Sequence, residues 1–255
     1  MIDWTAYEAV LFDLDGVLTA TARLHAASWK RAFDDYLRTR ASAHGERFRP
    51  FEMPGDYARF VDGRPRYDGV RTFLASRDIH LDDGAPDDPP GVETVCGIGN
   101  RKNAMFGELL AGEGVEVYEG SLAVVRHLRR HGVRCAVVSS SRSCEAILEA
   151  AGLAELFELR VDGQVAARRG LPGKPAPDTF VYAARVLGVA PARAVVVEDA
   201  IAGVEAGRAG GFGLVVALDR TGETEALARA GADCVVTDLG DTLKRGDAGG
   251  PPEAS

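Results

Sequence analysis

Two pairs of acids stand out in this chain. Asp13-Leu14-Asp15-Gly16 sets carboxylates two residues apart beside a glycine that permits a tight turn, and Glu198-Asp199 sets two more side by side. Asp and Gly are ordinary turn residues, so either pair alone could be an incidental turn. Four acids gathered in one cleft, however, repel one another unless a cation lies among them. Their oxygens are hard ligands, and no His or Cys cluster accompanies them, which favours Mg²⁺. Lys174, in Gly173-Lys174-Pro175-Ala176-Pro177-Asp178, is presented from a loop stiffened by two prolines. Ser139 closes another apolar run. Its hydroxyl could cap a helix or, with the N–H groups that follow, hold phosphate oxygens.

These residues share a setting. Apolar runs end at Asp13 (Ala9-Val10-Leu11-Phe12), at Ser139 (Ala136-Val137-Val138), at Glu198 (Ala194-Val195-Val196-Val197), at Asp219 (Val215-Val216-Ala217-Leu218) and at Thr237 (Cys234-Val235-Val236). Helical patterns fall between them at 122–131, 144–151, 179–187, 201–209 and 224–230. Short strands alternating with helices predict βαβ units, and continuous rather than alternating apolar runs predict strands covered on both faces. The fold class is therefore α/β, a Rossmann-like parallel sheet core with helices on both faces. In such a sheet the carboxyl ends of the strands form the ligand-binding edge, so the polar residues at successive strand ends should converge on one cleft. Residues 20–112 break the rhythm. A long helix over 20–40, helices over 68–76 and 103–110, and a turn-rich loop over 82–91 predict an inserted α-helical cap domain. The core is then 1–19 with 113–245, the cap 20–112, and the Gly/Pro/Ala-rich 246–255 a disordered tail.

Composition narrows the partners. The 255 residues carry 30 Lys and Arg against 38 Asp and Glu, a formal net charge of -8. That balance disfavours nucleic acid or an anionic membrane, which need a positive footprint. No apolar run approaches the roughly 20 residues that cross a bilayer, and the opening Met1-Ile2-Asp3-Trp4-Thr5 lacks the basic start of a signal peptide. The four cysteines show neither C-x-x-C pairing nor zinc spacing. Cys135 and Cys234 sit in apolar segments as core thiols, and a reducing cytoplasm is the simplest setting.

Taken in order, D-x-D-G-V, a strand-end Ser, a loop K-P-x-P and a strand-end E-D resemble the haloacid dehalogenase superfamily, and the helical insertion resembles its α-helical cap subgroup. Within it the chain is most similar to the β-phosphoglucomutase family. The similarity lies in Asp13-Leu14-Asp15-Gly16-Val17-Leu18-Thr19 with His25 and Trp29-Lys30, in Arg101-Lys102-Asn103, in Ser139-Ser140-Ser141-Arg142, and in Gly173-Lys174-Pro175-Ala176-Pro177-Asp178. It spans about residues 9–213. The chain departs from the pattern at Ala20, Arg142 and Ser143.

The resemblance implies roles. Asp13 is the nucleophile that becomes an aspartyl-phosphate, and Asp15 is the general acid/base. Asp13, Asp15 (through its backbone carbonyl), Glu198 and Asp199 hold Mg²⁺. Ser139, Ser141, Arg142 and Lys174 hold the transferring phosphate, while His25, Arg66, Lys102 and Asn103 in the cap bind substrate and its distal phosphate. The second Asp favours transfer to and from oxygen over dehalogenase or phosphonate chemistry. The implied reaction interconverts β-D-glucose 1-phosphate and glucose 6-phosphate through β-glucose 1,6-bisphosphate, which serves as intermediate and activator. A sugar-phosphate phosphatase would use the same aspartate with water as acceptor, and a non-catalytic binding protein would keep the fold alone. In each case the partner is a small sugar phosphate rather than nucleic acid or membrane, and a monomer suffices.

Overall fold

The computed structural model describes residues 1–243; the expected tail lies outside the described residues. The chain enters through β1 (Ala9–Phe12), departs into three long helices, α1 (Ala22–His44), α2 (Arg66–Ala75) and α3 (Val95–Glu113), and returns as α4 (Glu119–Arg130) and β2 (Arg134–Val138). It continues through α5 (Cys144–Ala150), β3 (Leu159–Val161), α6 (Gly163–Arg169) and α7 (Asp178–Val186). Then come β4 (Ala194–Glu198), α8 (Ile201–Ala209), β5 (Leu214–Leu218), α9 (Thr224–Ala230) and β6 (Cys234–Val236). Two compact units result, one of Met1–Ala20 with the chain from Glu116 onward, the other Thr21–Val115.

All six strands of the first unit pair in parallel, in the order β3-β2-β1-β4-β5-β6. Successive residues of β1 and β4 are all buried, so both faces of the sheet are covered, as a parallel sheet of Val, Ala and Leu requires. The core gathers Leu11, Val138, Phe180, Val196 and Val215 among others. From β1 the chain fills one side of the sheet with β2 and β3, then crosses to the other with β4. The strand order therefore reverses between β1 and β4, and a crevice opens beyond their carboxyl ends. Asp13 and Asp15 follow β1; Glu198 ends β4 and Asp199 follows it.

The helical unit has its own core. Phe33 of α1, Phe73 of α2 and Phe51 of the intervening segment pack with ring centroids 4.2 to 5.1 Å apart, joined by Trp29, Val70 and Ile98. Asp34 ties that segment down by accepting from the Phe51 N–H at 2.8 Å.

Several boundaries differ from the sequence reading. The strand pattern points to five strands, and the described residues form a sixth. Leu159-Arg160-Val161 is short and carries a central arginine, whose charge is met by Glu145 and Asp162. The helix expected over 103–110 begins at Val95, because Thr94 caps it by accepting from the Gly97 N–H at 2.9 Å. Arg101-Lys102-Asn103 consequently lies in mid-helix. The helix α1 runs on to His44 and stops at the left-handed Gly45. The helical unit is bounded at Thr21 and Val115 rather than at 20 and 112. Cys234, expected in the core, is only half-buried, whereas Cys96, Cys135 and Cys144 are buried. Among the described residues no helix is long and apolar enough to cross a membrane.

Candidate active site

The site is built from the ends of parallel strands. The Asp13 N–H continues the β1–β4 ladder by donating to Val197 O at 2.9 Å, which fixes where the Asp13 side chain emerges. The chain then turns through Gly16 at φ +88, with the Gly16 N–H donating to Thr19 O at 2.7 Å. A Cβ at Gly16 would stand 1.7 Å from Asp199 Oδ2, so only glycine lets the turn after β1 approach the acid after β4. Arg220, from the loop beyond β5, secures the same turn. Its Nε donates to Gly16 O at 2.8 Å and its guanidinium stacks over the Tyr118 ring.

Lys174 arrives from the loop before α7 and is 2% exposed. Its Nζ donates to Asp13 Oδ1 at 2.5 Å, to Glu198 Oε1 at 2.6 Å and to Val138 O at 3.0 Å. Those three acceptors use all three protons of an ammonium. Glu198 is fully buried, and its other oxygen accepts from the N–H groups of Asp199 at 3.0 Å and Ala200 at 3.2 Å. The carboxylate is thereby satisfied on both sides, as a buried charge must be. Gly203 in α8 makes room for it, since a Cβ there would lie 1.8 Å from Glu198 Oε1.

Asp13, Glu198 and Asp199 each place a carboxylate oxygen within 4.8 Å of the others. Three carboxylates and one ammonium make this group rich in acid. Burial, only partly offset by Lys174 and reinforced by Glu198 and Asp15, pushes the Asp13 carboxyl up to about 8. Burial also weighs against the Lys174 ammonium, yet Asp13 and Glu198 hold it charged, above the ordinary lysine range. The donor set fits a hard divalent cation: oxygen ligands only, from two buried carboxylates and one half-buried one. The carboxylate of Asp15 is not in this group.

The loop after β2 supplies a polar cradle. Ser139 Oγ accepts from the Ser141 N–H and Ser141 Oγ from the Ser143 N–H, both at 3.1 Å. A hydroxyl used in this way as an acceptor still has its proton to donate. Arg142 is held through its backbone, whose carbonyl accepts from Gln164 Nε2 at 3.0 Å.

A second set lies wholly within the helical unit. Lys102 is 4% exposed, flanked by the rings of Trp29 and Phe106, with Nζ 2.5 Å from His25 Nδ1. The His25 ring stacks on Phe106 at 4.0 Å. Arg66, the first residue of α2, donates from Nη2 to Asn103 Oδ1 at 2.8 Å. The structure thus groups Asp13, Lys174, Glu198 and Asp199 in one unit, and pairs His25 with Lys102 and Arg66 with Asn103 in the other. Sequence reasoning passed over Gly203, Arg220, Tyr67 and Asn100, which touch these groups. Asn100 falls before the helix expected at 103, and it shares a face with Asn103 only because α3 begins at Val95.

A buried carboxylate, an ammonium bonded to it and an acidic cluster that could hold a cation lie together at the switch point of a parallel sheet, the arrangement of a phosphoryl-transfer enzyme. The sequence matches the model of the haloacid dehalogenase-like hydrolases over residues 7–211, and the chain belongs to that family. It is similar to the β-phosphoglucomutase of Mycobacterium bovis, with 50% identity over 238 residues that make up 92% of this chain and 91% of the relative. It is also similar to hexitol phosphatase A of Escherichia coli, with 30% identity over 85% of each chain. The crystal structure of a CbbY variant from Rhodobacter sphaeroides in complex with xylulose-(1,5)bisphosphate matches with a TM-score of 0.68 and 25% identity, covering 92% of this chain and 96% of that one.

Proposed function

We propose that the protein is a Mg²⁺-dependent, cytoplasmic β-phosphoglucomutase that interconverts β-D-glucose 1-phosphate and glucose 6-phosphate. The observation that carries the reading is the Arg66 guanidinium, anchored in the helical unit by Asn103 and suited to bidentate phosphate binding. It gives the protein a second anion-binding group besides the strand-end site. The 50% identity with a β-phosphoglucomutase supports the same conclusion, and the sugar bisphosphate bound by the CbbY variant supports a two-phosphate substrate.

In this mechanism the free oxygen of Asp13 attacks phosphorus of β-glucose 1,6-bisphosphate. The P–O bond to the sugar breaks as Asp15 delivers a proton to the departing oxygen. Transfer of the 1-phosphoryl group releases glucose 6-phosphate, and an incoming β-glucose 1-phosphate then presents its 6-hydroxyl to the aspartyl-phosphate. Asp15 takes that proton back, the new oxygen attacks, and the Asp13–phosphate bond breaks. Two unit charges 4 Å apart at an effective dielectric of about 20 repel by about 4 kcal/mol, so a carboxylate meeting a phosphate dianion faces about twice that. Lys174, Ser139, Ser141 and Arg142 oppose this repulsion by holding the phosphoryl oxygens. A bound Mg²⁺, held by Asp13, Glu198, Asp199 and the Asp15 carbonyl, would add Lewis-acid charge neutralisation. Arg66, with Lys102, Asn103 and His25, retains the second phosphate and the sugar.

A ³¹P NMR time course tests this. β-Glucose 1-phosphate with Mg²⁺ and catalytic bisphosphate should yield glucose 6-phosphate with little inorganic phosphate. Stoichiometric inorganic phosphate would instead make the protein a sugar-phosphate phosphatase with water as acceptor; the Escherichia coli relative is named a hexitol phosphatase.

A further inference from the structure

An arginine that is to grip a phosphate must present a fixed edge, and a free guanidinium has many rotamers to lose. Arg66 is already committed. Its Nη1 donates to Asn100 Oδ1 at 3.3 Å and its Nη2 to Asn103 Oδ1 at 2.8 Å, two amide oxygens one turn apart on α3. Asn100 is itself locked. Its Nδ2 donates to Pro86 O at 3.1 Å and Asp88 O at 2.9 Å, while its Oδ1 also accepts from the Tyr67 hydroxyl at 3.0 Å. Flipping the amide would set oxygen against two carbonyls and nitrogen against two donors, so only one orientation serves. The loop carrying Pro86 and Asp88 is in turn pinned to the start of α3, where Thr94 Oγ1 donates to the Asp88 carboxylate at 2.6 Å. Gly99 completes the fit. A Cβ there would stand 2.9 Å from the Tyr67 ring and 3.1 Å from Arg66 Cδ.

We infer that Asn100, backed by Tyr67 and the 82–94 loop, is a positioning residue that presets the Arg66 guanidinium for the second phosphate. This rests on the proposed role of Arg66. Neutral amide oxygens suit the task because they orient the cation without cancelling its charge. An aspartate at the same place would hold the arginine and neutralise it. Specificity for a two-phosphate substrate then depends on a loop and an asparagine that need not touch the sugar.

The test is a double-mutant cycle in the full-length chain, with β-glucose 1,6-bisphosphate as the varied ligand. Asn100→Ala should raise its KM about tenfold with kcat changed less than twofold, and Asn100→Asp should raise it further despite its equal size. In an Arg66→Ala background Asn100→Ala should add nothing, because the group it orients is gone. If Asn100→Ala raises KM by the same factor with and without Arg66, the inference is overturned and the role of Arg66 stands. If Arg66→Ala leaves the KM unchanged, the reading of Arg66 falls and the inference falls with it. Should Asn100→Ala fail to fold, Tyr67→Phe, which deletes one hydroxyl, runs the same cycle. It is expected to raise KM about threefold only when Arg66 is present, and equal effects in both backgrounds overturn the inference.

Discussion

Gly203 stands where a single methyl group would meet the carboxylate of Glu198, 1.8 Å from Oε1 and 1.9 Å from Cδ. Alanine is otherwise the better helix former by about 1 kcal/mol. Glycine persists within α8 because the carboxylate that braces Lys174 occupies the space a Cβ would need.

Two glycine substitutions should therefore differ in sign. Gly107→Ala, in α3 with nothing near its Cβ position, should stabilise the protein by up to about 1 kcal/mol. Gly203→Ala should destabilise it by about 1–3 kcal/mol through overpacking and lower kcat by displacing Glu198 from Lys174. Thermal denaturation with parallel assays checks both, and a stabilised, fully active Gly203→Ala would contradict the geometry.

The cluster of Asp13, Glu198 and Asp199 should make divalent cations a source of stability as well as activity. Chelator-treated enzyme should be inactive and recover with Mg²⁺. Its melting temperature should rise with added Mg²⁺, by the equivalent of about 2.7 kcal/mol at a hundredfold excess over Kd. Asp199→Asn should lose most of that shift while keeping its fold. A melting temperature indifferent to divalent ions in the wild type would remove the ion from this site.

If Asp15 protonates the departing oxygen, its importance depends on how poor the leaving group is. Asp15→Asn should slow transfer from a sugar phosphate by about 10²–10⁴-fold. It should slow the first-turnover burst from p-nitrophenyl phosphate far less, since nitrophenolate leaves unaided. Equal losses with the two substrates would assign Asp15 another task.

The thiols should report burial through their pKa values. Burial pushes the Cys135 thiol up to about 12 and raises Cys96 and Cys144 as well. A thiol with pKa near 12 is about one part in ten thousand thiolate at pH 8, and the thiolate is the reactive form. Iodoacetamide at pH 8 should therefore label Cys234 first in the native protein and all four cysteines after unfolding. Mass spectrometry of timed digests reads the order directly; Cys135 labelling as fast as Cys234 would show the sheet to be open there.

Much of the core site was legible because its information is local. Asp13, Ser139 and Glu198 each follow an apolar run of Val, Ala, Leu or Phe, and a short continuous run of that kind between helical patterns fits an inner parallel strand covered on both faces. Their types and their place at strand ends could be read directly. β3 was missed for the converse reason: three residues around an arginine carry no such pattern, and its strand character comes from pairing with β2.

By itself, then, the sequence determined the α/β core, the helical insertion, the acids and serine at the strand ends and the lysine of the proline-stiffened loop before a helix, since periodicity and element termini are properties of neighbouring residues. Only the tertiary structure decided that one ammonium satisfies Asp13, Glu198 and the Val138 carbonyl together, across separations of 161, 24 and 36 residues. It alone placed Asn100 against Arg66, 34 residues away. Contacts of that kind follow from how packed elements close on one another, and a linear pattern of side-chain types does not encode which amide oxygen meets which guanidinium.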